Sequence, residues 1–348
     1  MNPSATDSGM QRFLDHEHPN RPTDMVPVRR DVDFSYDDAG ECFVGTDLDH
    51  VRTSAGAIGT SEMMAISLCG VDIDAGVWSW ANTTRGSTSA RHTAITLAPT
   101  ARDTVFNGVS SGPGLVHTWG PNTDYLDRSP AQMPFVTVSI ETEALEQGAK
   151  ILGRDDSLLP PGVFKTFSGE IAQSILRNTS AFMAMARGAG DERIHRSAAA
   201  GFRDSIVADM LTLVSEHRNS ETRQRMRHQT ALEVVIACDD YASARRYRAI
   251  TSIALSRAAG YSERRVRAAF KEMTGVSPMS YMRAQALHEV RRELLSGAAG
   301  SVTDAAFMWG FTELGRFARM YRDLYEELPS ETLRTAKQRF GRVIVQVS

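Results

Sequence analysis

The sequence predicts an α+β protein: an N-terminal antiparallel β-barrel or sandwich with accompanying helices, followed by an all-α domain of tandem helix-turn-helix units. Short strand-like runs broken by turn residues fill the first part of the chain. Two helix–turn–helix patterns follow one another in the last third. At 348 residues the chain is long enough for two domains, each with its own core.

The domain boundaries follow changes in pattern and composition. We expect a disordered N-terminus at 1–27, a first domain at 28–217, a linker at 218–230 and a C-terminal domain at 231–340. Within the first domain, the strand pattern covers 28–140 and the helical pattern 142–217. The linker is rich in Glu, Arg and Gln, which favours a flexible segment without a core of its own.

The first domain opens with six strand-like runs separated by Gly, Pro and Ser junctions. They are Met64–Cys69, Val77–Ala81, Ala94–Ala98, Val105–Val109, Leu115–Trp119 and Phe135–Ile140. The last of these alternates with period two, as a half-buried strand does. Short, regularly spaced runs of this kind are typical of an antiparallel, cupin-like barrel or sandwich.

Helical patterns complete the first domain. We expect helices at Thr142–Leu152, Phe167–Arg187 and Asp191–His217, with a connecting segment at 158–162. The third helix carries an apolar stripe formed by Phe202, Ile206, Met210 and Leu213. Such a stripe must be covered. The helix pair therefore either packs on the barrel or pairs with a second subunit.

A short helix of small residues, a glycine turn and an amphipathic helix occur twice near the C-terminus. The turn Gly260-Tyr261-Ser262 of the first unit recurs 50 residues later as Gly310-Phe311-Thr312. The preceding helices are Ile253–Ala259 and Val302–Trp309. This order is the helix-turn-helix motif, whose second helix enters the DNA major groove. The chain is therefore predicted to bind double-stranded DNA.

The recognition helix of the first unit has an apolar face and an arginine face. The apolar face, at i, i+4 and i+7, consists of Val266, Phe270 and Met273. The predicted base-reading residues are Arg264, Arg267 and Ala268, and the predicted phosphate contacts are Arg265 and Lys271. Arginine reads guanine O6 and N7 in a bidentate pair or clamps a phosphate. The alternative is that these arginines only solvate an exposed helix face.

A continuous helix at Met279–Ser296 is predicted to connect the two units. Its buried stripe consists of Met282, Ala286, Val290 and Leu294. Eighteen residues give about 27 Å of helix, and two major-groove segments on one DNA face lie about 34 Å apart. Together with the width of the units, this helix could hold two recognition helices one DNA turn apart.

The second recognition helix is predicted to start near Glu313 and to bury Phe317, Tyr321 and Leu324. Its predicted base-reading residues are Leu314, Gly315, Ala318 and Arg319, and its predicted phosphate contacts are Arg316 and Arg322. Leu314 and Ala318 can touch a thymine methyl but donate no hydrogen bond. We therefore expect less base reading and more phosphate anchoring from this unit.

These units resemble the AraC/XylS family of bacterial transcription regulators over about residues 229–337. The residues that carry the resemblance are Ala254–Ser262, Phe270, Thr274–Pro278, Tyr281, Ser301–Ala306, Trp309–Phe311, Phe317, Arg319 and Pro329-Ser330. The resemblance implies base contacts from the early exposed positions of both recognition helices, RNA polymerase as a partner, and activation rather than repression. The sequence departs from the family pattern at Ala268, at Glu326–Pro329 and at Thr332. Glu326–Pro329 replaces the usual Gly-Val-Ser-Pro, which predicts a looser C-terminal helix.

The resemblance also implies that the N-terminal domain binds a small-molecule effector and forms a homodimer. Four residues are candidates for an effector pocket: Trp78, Trp80, His117 and Trp119. Trp78 and Trp80 lie two positions apart, as do His117 and Trp119, so the two residues of each pair share one strand face. The alternative is that they are ordinary core aromatics. A regulator that binds DNA without any ligand is also consistent with the sequence.

Charge and cysteine content agree with a DNA-binding protein of the cytoplasm. The net charge is −3, but residues 228–348 hold 18 Arg and Lys against 13 Asp and Glu, a surplus of five. A basic domain attracts a polyanion. The three cysteines lack metal or disulfide spacing, and the polar N-terminus resembles no signal peptide. No apolar run is long enough for a membrane span.

The remaining alternative is a cupin-type metal enzyme. That chemistry needs clustered ligands, such as two histidines with a nearby carboxylate. The one His-x-His of the chain is His16-x-His18, in the polar N-terminus, and His50, His92 and His117 are dispersed through the predicted barrel. We therefore expect no catalytic residue, no metal and no cofactor.

Overall fold

The computed structural model describes residues 27–39, 42–43, 45–53, 59–97, 103–154, 158–188, 194–216 and 223–345, with backbone only at 223–228 and 339–345. The predicted disordered N-terminus, except Pro27, lies outside the described residues. So do residues 218–222 of the predicted linker.

The N-terminal domain contains two antiparallel sheets. Their strands are β1 (Val28–Phe34), β2 (Thr46–Val51), β3 (Ser61–Leu68), β4 (Val71–Trp78), β5 (Asn82–Thr88), β6 (His92–Leu97), β7 (Val105–Phe106), β8 (Val109–Ser110), β9 (Val116–Trp119), β10 (Asp124–Ser129), β11 (Met133–Glu141) and β12 (Phe164–Phe167). The larger sheet has the order β1-β3-β4-β11-β6-β9-β12, and the smaller has the order β2-β5-β10-β7-β8. The predicted α+β class is confirmed, with two facing sheets that do not close into a barrel.

Alternation along β11 shows how the larger sheet separates two cores. Val138 and Ile140 are fully buried on its outer face, in the cluster that includes the helices of this domain. Phe135 points the other way, into an aromatic cluster between the two sheets. Successive side chains of a strand alternate between faces, so one strand supports both cores.

Three helices cover the outer face of the larger sheet. They are α1 (Thr142–Leu152), α2 (Glu170–Gly188) and α3 (Arg196–Glu216). The predicted stripe of α3 is buried in the cluster on that face. Phe182 of α2 stacks on Phe202 of α3 at a centroid distance of 4.3 Å. The apolar stripe of α3 is therefore covered within the chain.

The C-terminal domain consists of helices. They are α4 (Arg223–Ser243), α5 (Ser252–Ala259), α6 (Glu263–Thr274), α7 (Pro278–Leu295), α8 (Val302–Met308), α9 (Leu314–Tyr325) and α10 (Pro329–Val345). Helix α4 begins inside the segment 218–230 assigned above to the linker. One apolar cluster joins α4 to the first helix-turn-helix unit.

The outer face of the smaller sheet packs against this helical domain. Arg85 of β5 forms ion pairs with Asp239, at 2.6 Å, and Asp240, at 2.7 Å, of α4. Leu126 of β10 is fully buried among apolar side chains of α4, α6 and α7. The two domains therefore share packed apolar surface as well as charge pairs.

Helix α7 is buried on two faces. The predicted stripe of Met282, Ala286, Val290 and Leu294 is confirmed as buried. The structure also buries Gln285, His288 and Arg291, which the amphipathic pattern does not predict. His288 Nε2 lies 3.1 Å from Asp49 Oδ1, and Arg291 contacts Asp37 through Nε at 2.6 Å and Nη2 at 2.9 Å. The connecting helix is therefore also an interdomain contact.

Several strand predictions differ from the structure. The predicted strand Val77–Ala81 is wrong beyond Trp78, because the Ser79 hydroxyl turns back to donate to the Thr60 carbonyl at 2.8 Å. The predicted run Val105–Val109 is two short strands, β7 and β8, joined by Asn107-Gly108. Both turn residues have positive φ, 46° and 79°, as a two-residue hairpin turn requires.

Five strands were not predicted at all: β1, β2, β5, β10 and β12. Most of them combine polar and charged residues. Strand β5 reads NTTRGST and β10 reads DYLDRS. Their hydroxyl and carboxyl side chains resemble loop sequence, although the sheet buries most of them. Burial of polar inward faces masks the period that identifies a strand.

Candidate nucleic-acid interface

The first helix-turn-helix unit is defined by its caps. Thr251 Oγ1 accepts the Ala254 N–H at 3.2 Å at the start of α5, and Ser262 Oγ accepts the Arg265 N–H at 3.4 Å at the start of α6. Side-chain caps satisfy N–H groups that a helix leaves free at its N-terminus. Between the helices, Gly260 adopts φ 71°, a left-handed conformation that favours glycine. The turn therefore follows the predicted chemistry.

Helix α6 presents its arginines to solvent. Val266, Phe270 and Met273 are buried as predicted. Arg264, Arg267 and Ala268 are exposed, and Arg265 is half-buried. Lys271 is exposed, but its Nζ donates to the Gly275 carbonyl at 2.8 Å. Lys271 is therefore engaged at the C-terminal end of its own helix.

The second unit repeats the arrangement, but its second helix lacks a side-chain cap. Ser301 Oγ accepts the Asp304 N–H at 3.1 Å before α8. Gly310 has φ 91°, and an added methyl group there would lie 3.2 Å from the Tyr247 carbonyl oxygen. Glu313 precedes α9 without a side-chain cap. The glycine is required for conformation and for close approach to the loop after α4.

Helix α9 also turns its polar face outward. Phe317, Tyr321 and Leu324 are buried as predicted. Leu314, Gly315, Arg316, Arg319 and Arg322 are exposed, and Ala318 is half-buried. The Arg319 Nε donates to the Gly315 carbonyl at 3.4 Å, a long contact that leaves the rest of the guanidinium exposed. The exposed face of α9 thus consists of one glycine, three arginines and Leu314, which adds an apolar contact surface.

The two units are joined by more than α7. Arg248, in the loop after α4, donates through Nε to the Met308 carbonyl at 3.0 Å and through Nη2 to the Phe307 carbonyl at 2.5 Å. These carbonyls lie at the end of helix α8, where the last C=O groups of a helix lack intrahelical donors, and the Phe307 carbonyl also accepts the Gly310 N–H at 3.3 Å. Sequence reasoning did not identify Arg248, because no local pattern shows which carbonyls it reaches. The first unit is therefore tied directly to the turn of the second.

A cavity of about 90 Å³ lies between the two sheets of the N-terminal domain. Trp78 and Trp119, both proposed from sequence, line it, whereas Trp80 and His117 do not. Trp80 instead packs edge-on against Phe34 and Tyr36, beyond the end of β4. The structure therefore brings together half of the predicted effector set.

His117 is a satisfied core histidine. Its Nε2 lies 2.9 Å from Ser111 Oγ and its Nδ1 lies 3.0 Å from Thr166 Oγ1. Burial lowers its pKa to about 3, so the imidazole is neutral near neutral pH. Its ring also lies parallel to that of Phe164 at 6.2 Å. These contacts use both ring nitrogens and leave none for a ligand.

Asp127 is a charged residue of the cavity that the sequence pattern did not identify. It is the only charged residue among the described residues that line the cavity. The Asn107 N–H donates to Asp127 Oδ1 at 3.2 Å, and burial raises the pKa of Asp127 well above its ordinary value. In sequence, Asp127 lies between Leu126 and Arg128 in a polar stretch that resembles a loop, so nothing marked it.

Within the ranges given above, no group of three or more His, Cys, Asp and Glu side chains is placed to hold a metal ion. No helix in the described part of the chain combines the length and apolar character needed to cross a bilayer.

The fold and the exposed arginines define a helix-turn-helix protein with two recognition helices in one chain. The family model described as a helix-turn-helix domain matches residues 255–335, which span most of both units. This match and the sequence relatives below show that the C-terminal helix-turn-helix units are of the AraC/XylS type of transcription regulator.

Two curated relatives and one solved structure illustrate the similarity. The "XylDLEGF operon transcriptional activator 2" of Pseudomonas putida is 38% identical over 94 residues, covering 26% of this chain and 60% of that protein. The "Probable thc operon regulatory protein" of Rhodococcus erythropolis is 34% identical over 98 residues, covering 28% of this chain and 30% of that protein. A crystal structure titled as a probable AraC family transcriptional regulator from Rhodopseudomonas palustris CGA009 is 39% identical. It covers 30% of this chain and 96% of that one, with a TM-score of 0.28. The similarity to the curated relatives thus covers less than two thirds of their length.

Proposed function

We propose that this protein is a sequence-specific DNA-binding transcription regulator that activates its target genes in response to a small molecule. Its C-terminal domain inserts α6 and α9 into successive segments of the major groove. The observation that carries the proposal is the exposure of arginines on both helices, Arg264 and Arg267 on α6 and Arg319 on α9. Exposed arginine at the start of a recognition helix has the reach and donor geometry for guanine.

The two helices differ in what they contribute. Arg264 and Arg267 on α6 read bases, with Arg319 on α9 as a further base contact. Arg265, Arg316 and Arg322 anchor phosphates. The early outward positions of α9 are Leu314 and Gly315, which offer no side-chain hydrogen bond to a base edge. Sequence specificity therefore comes mainly from the DNA segment that α6 contacts, whereas binding affinity comes from both segments.

A binding assay with paired substitutions tests this division. A preferred duplex is first selected from a randomised library with the intact protein. Arg264→Ala is expected to reduce the preference of the protein for that duplex over single-base variants, at a cost of about 1–3 kcal/mol on the preferred site. Arg322→Ala is expected to weaken binding to all duplexes alike. The slope of log K against log salt concentration should become shallower by about 0.9, the value of one phosphate contact.

Arg177→Ala provides the matched control, because Arg177 is an exposed arginine on α2 of the other domain. It should bind every duplex as the unaltered protein does. If Arg264→Ala weakened all duplexes equally while Arg322→Ala altered base preference, the assignment of roles would be reversed. If neither changed binding, α6 and α9 would not be the DNA-reading helices.

The regulatory part of the proposal is supported by strand β10, which borders both the cavity and the DNA-binding domain. Tyr125, Asp127 and Ser129 line the cavity. On the opposite face, Leu126 packs in the core of the first helix-turn-helix unit. Arg128 lies against Gly275, where an added methyl group would be 3.2 Å from Arg128 Cδ. A ligand that shifts β10 thereby acts on the end of α6.

A ligand changes an equilibrium only if it binds one state better than another. Contact between β10 and α6 gives such a ligand a physical means of altering α6. A regulator that binds DNA independently of any ligand is the second candidate, and it requires that a compound bound in the cavity leave the DNA affinity unchanged. Family resemblance further supports a homodimer and RNA polymerase as partners, and a cytoplasmic location.

A further inference from the structure

The walls of the cavity between the sheets are aromatic on two sides. Phe43 and Phe135 both stack on Trp78, with centroids 5.5 and 5.2 Å apart. On the other side, Phe106 meets Trp119 edge-on at 5.6 Å. These five rings line the cavity together with Thr and Ser hydroxyls. The faces of aromatic rings carry negative potential and attract cations.

The carboxyl group of Asp127 lies in the same cavity without a cation to balance it. No lysine or arginine within the described ranges forms an ion pair with it, and no Lys, Arg or His lines the cavity there. From the residues that the structure describes, it accepts one hydrogen bond, from the Asn107 N–H to Oδ1 at 3.2 Å. An isolated carboxylate in an apolar environment is costly, so a bound cation would stabilise the ionised form of Asp127.

Several of the hydroxyls that line the cavity are occupied by other partners. Thr46 Oγ1 is paired with Tyr125 Oη at 2.6 Å, and Thr88 Oγ1 donates to the Gly120 carbonyl at 2.6 Å. Thr96 and Thr137 are paired with each other at 3.2 Å. These hydroxyls are already paired, and Asp127 is the charged hydrogen-bonding group among the described residues that line the cavity.

From this arrangement we infer that the cavity binds a small organic cation, an amine carried on a compact apolar group. The ammonium group pairs with Asp127, and the apolar part packs among the rings of Trp78, Trp119 and their neighbours. The inference rests on the proposed effector function and specifies the class of effector. A site for one water needs about 10–15 Å³, so about 90 Å³ has room for a compact organic molecule. An anionic ligand is disfavoured, since it would meet the carboxyl group without a counter-ion.

The test uses three probes of nearly equal shape and different charge: benzylamine, benzyl alcohol and benzoate. Binding to the full-length protein is measured by calorimetry and by the shift in melting temperature. Benzylamine is expected to bind at least about tenfold more tightly than benzyl alcohol, since ring–cation attraction and a charged hydrogen bond both contribute. Benzoate is expected to bind most weakly of the three.

Asp127→Asn keeps the shape of the side chain and removes its charge. In this variant benzylamine should lose its advantage over benzyl alcohol. Asp124→Asn is the matched control, because Asp124 is on the same strand but is exposed. It should keep the selectivity of the unaltered protein.

The outcomes separate the two proposals. If benzyl alcohol or benzoate binds more tightly than benzylamine, or if Asp127→Asn keeps the amine preference, the cavity remains an effector site and the cationic class is wrong. If none of the three probes binds, both the cationic class and the use of this cavity as an effector site are overturned. The DNA-binding part of the function is unaffected by any of these results.

Discussion

The contact between Arg291 of α7 and Asp37 of the N-terminal domain should be a principal determinant of domain docking. The Arg291 side chain is 8% exposed and that of Asp37 is 26% exposed. Two N–H groups of the guanidinium reach the two carboxylate oxygens, at 2.6 and 2.9 Å. The same guanidinium donates to Glu327 Oε1 at 2.5 Å and to Tyr321 Oη at 3.2 Å. Arg291 thus joins one domain to a carboxylate of the other.

The expected magnitudes follow from these exposures. Removing one partner of a fully buried pair costs about 3–5 kcal/mol. Both carboxylates here keep part of their surface in water, so Arg291→Met should destabilise by about 3 kcal/mol, the lower end of that range. Asp37→Asn leaves Arg291 paired with Glu327 and should cost about 2 kcal/mol. When Arg291 is already replaced by Met, adding Asp37→Asn should cost almost nothing, because the pair is already broken. The double-mutant cycle should therefore give a coupling of about 2 kcal/mol.

The assay is denaturant unfolding of the full-length protein, followed by tryptophan fluorescence and read in the transition that separates the domains. A cycle of Arg292→Met with Glu289→Gln provides the control. That pair lies on the same helix at 3.4 Å, with Arg292 61% exposed, and should couple by no more than about 0.5 kcal/mol. If the Arg291–Asp37 coupling were no larger than that of the control, charge pairing would not hold the domains together.

Three further predictions concern stability. His117 is neutral in the folded state, with its pKa lowered to about 3 by burial, so folded-state stability should fall as pH drops from about 6.5 towards 3. His117→Asn should reduce the loss between about pH 7 and pH 5 by about 2 kcal/mol, and unchanged curves in urea unfolding would show that the imidazole titrates normally. Glu326 adopts φ 60° at the end of α9, so Glu326→Gly should stabilise by about 0.5–1 kcal/mol; a lower melting temperature would contradict this explanation. Gly310→Ala should destabilise by at least about 1–2 kcal/mol, from positive φ and crowding against Tyr247, whereas Gly188→Ala, with open space around its added methyl group, should not.

The C-terminal domain was predictable because its signals are local. Gly260 and Gly310 mark the turns, and the stripe of α6 follows from the period of the helix alone. The N-terminal sheets were only partly predictable, since β5 and β10 bury hydroxyl and carboxyl groups on their inward faces. Composition identifies such residues as loop until their partners across the sandwich are known.

The candidate site residues also differ in how far they could be predicted: some follow from local patterns, and others depend on contacts distant in the chain. Exposure of Arg264 and Arg267 follows from one helix face and could be predicted from the sequence. The roles of Arg248 and Arg291 could not be, because each bonds to groups more than 30 residues away in the chain. The prediction of a looser C-terminal helix remains a prediction. There, Thr332 is buried and its Oγ1 lies 2.8 Å from Tyr321 Oη, while Glu326 supplies the left-handed end of α9.

Strand β10 gives this regulator a practical advantage for redesign. Odd-numbered positions from 125 to 129 line the cavity, while even-numbered positions 126 and 128 face the neighbouring domain. Because adjacent side chains point in opposite directions, the chemistry of the proposed effector site could be changed by altering Asp127 while Leu126 stays as it is. A biosensor built on this scaffold would therefore allow its input to be exchanged without redesigning its output.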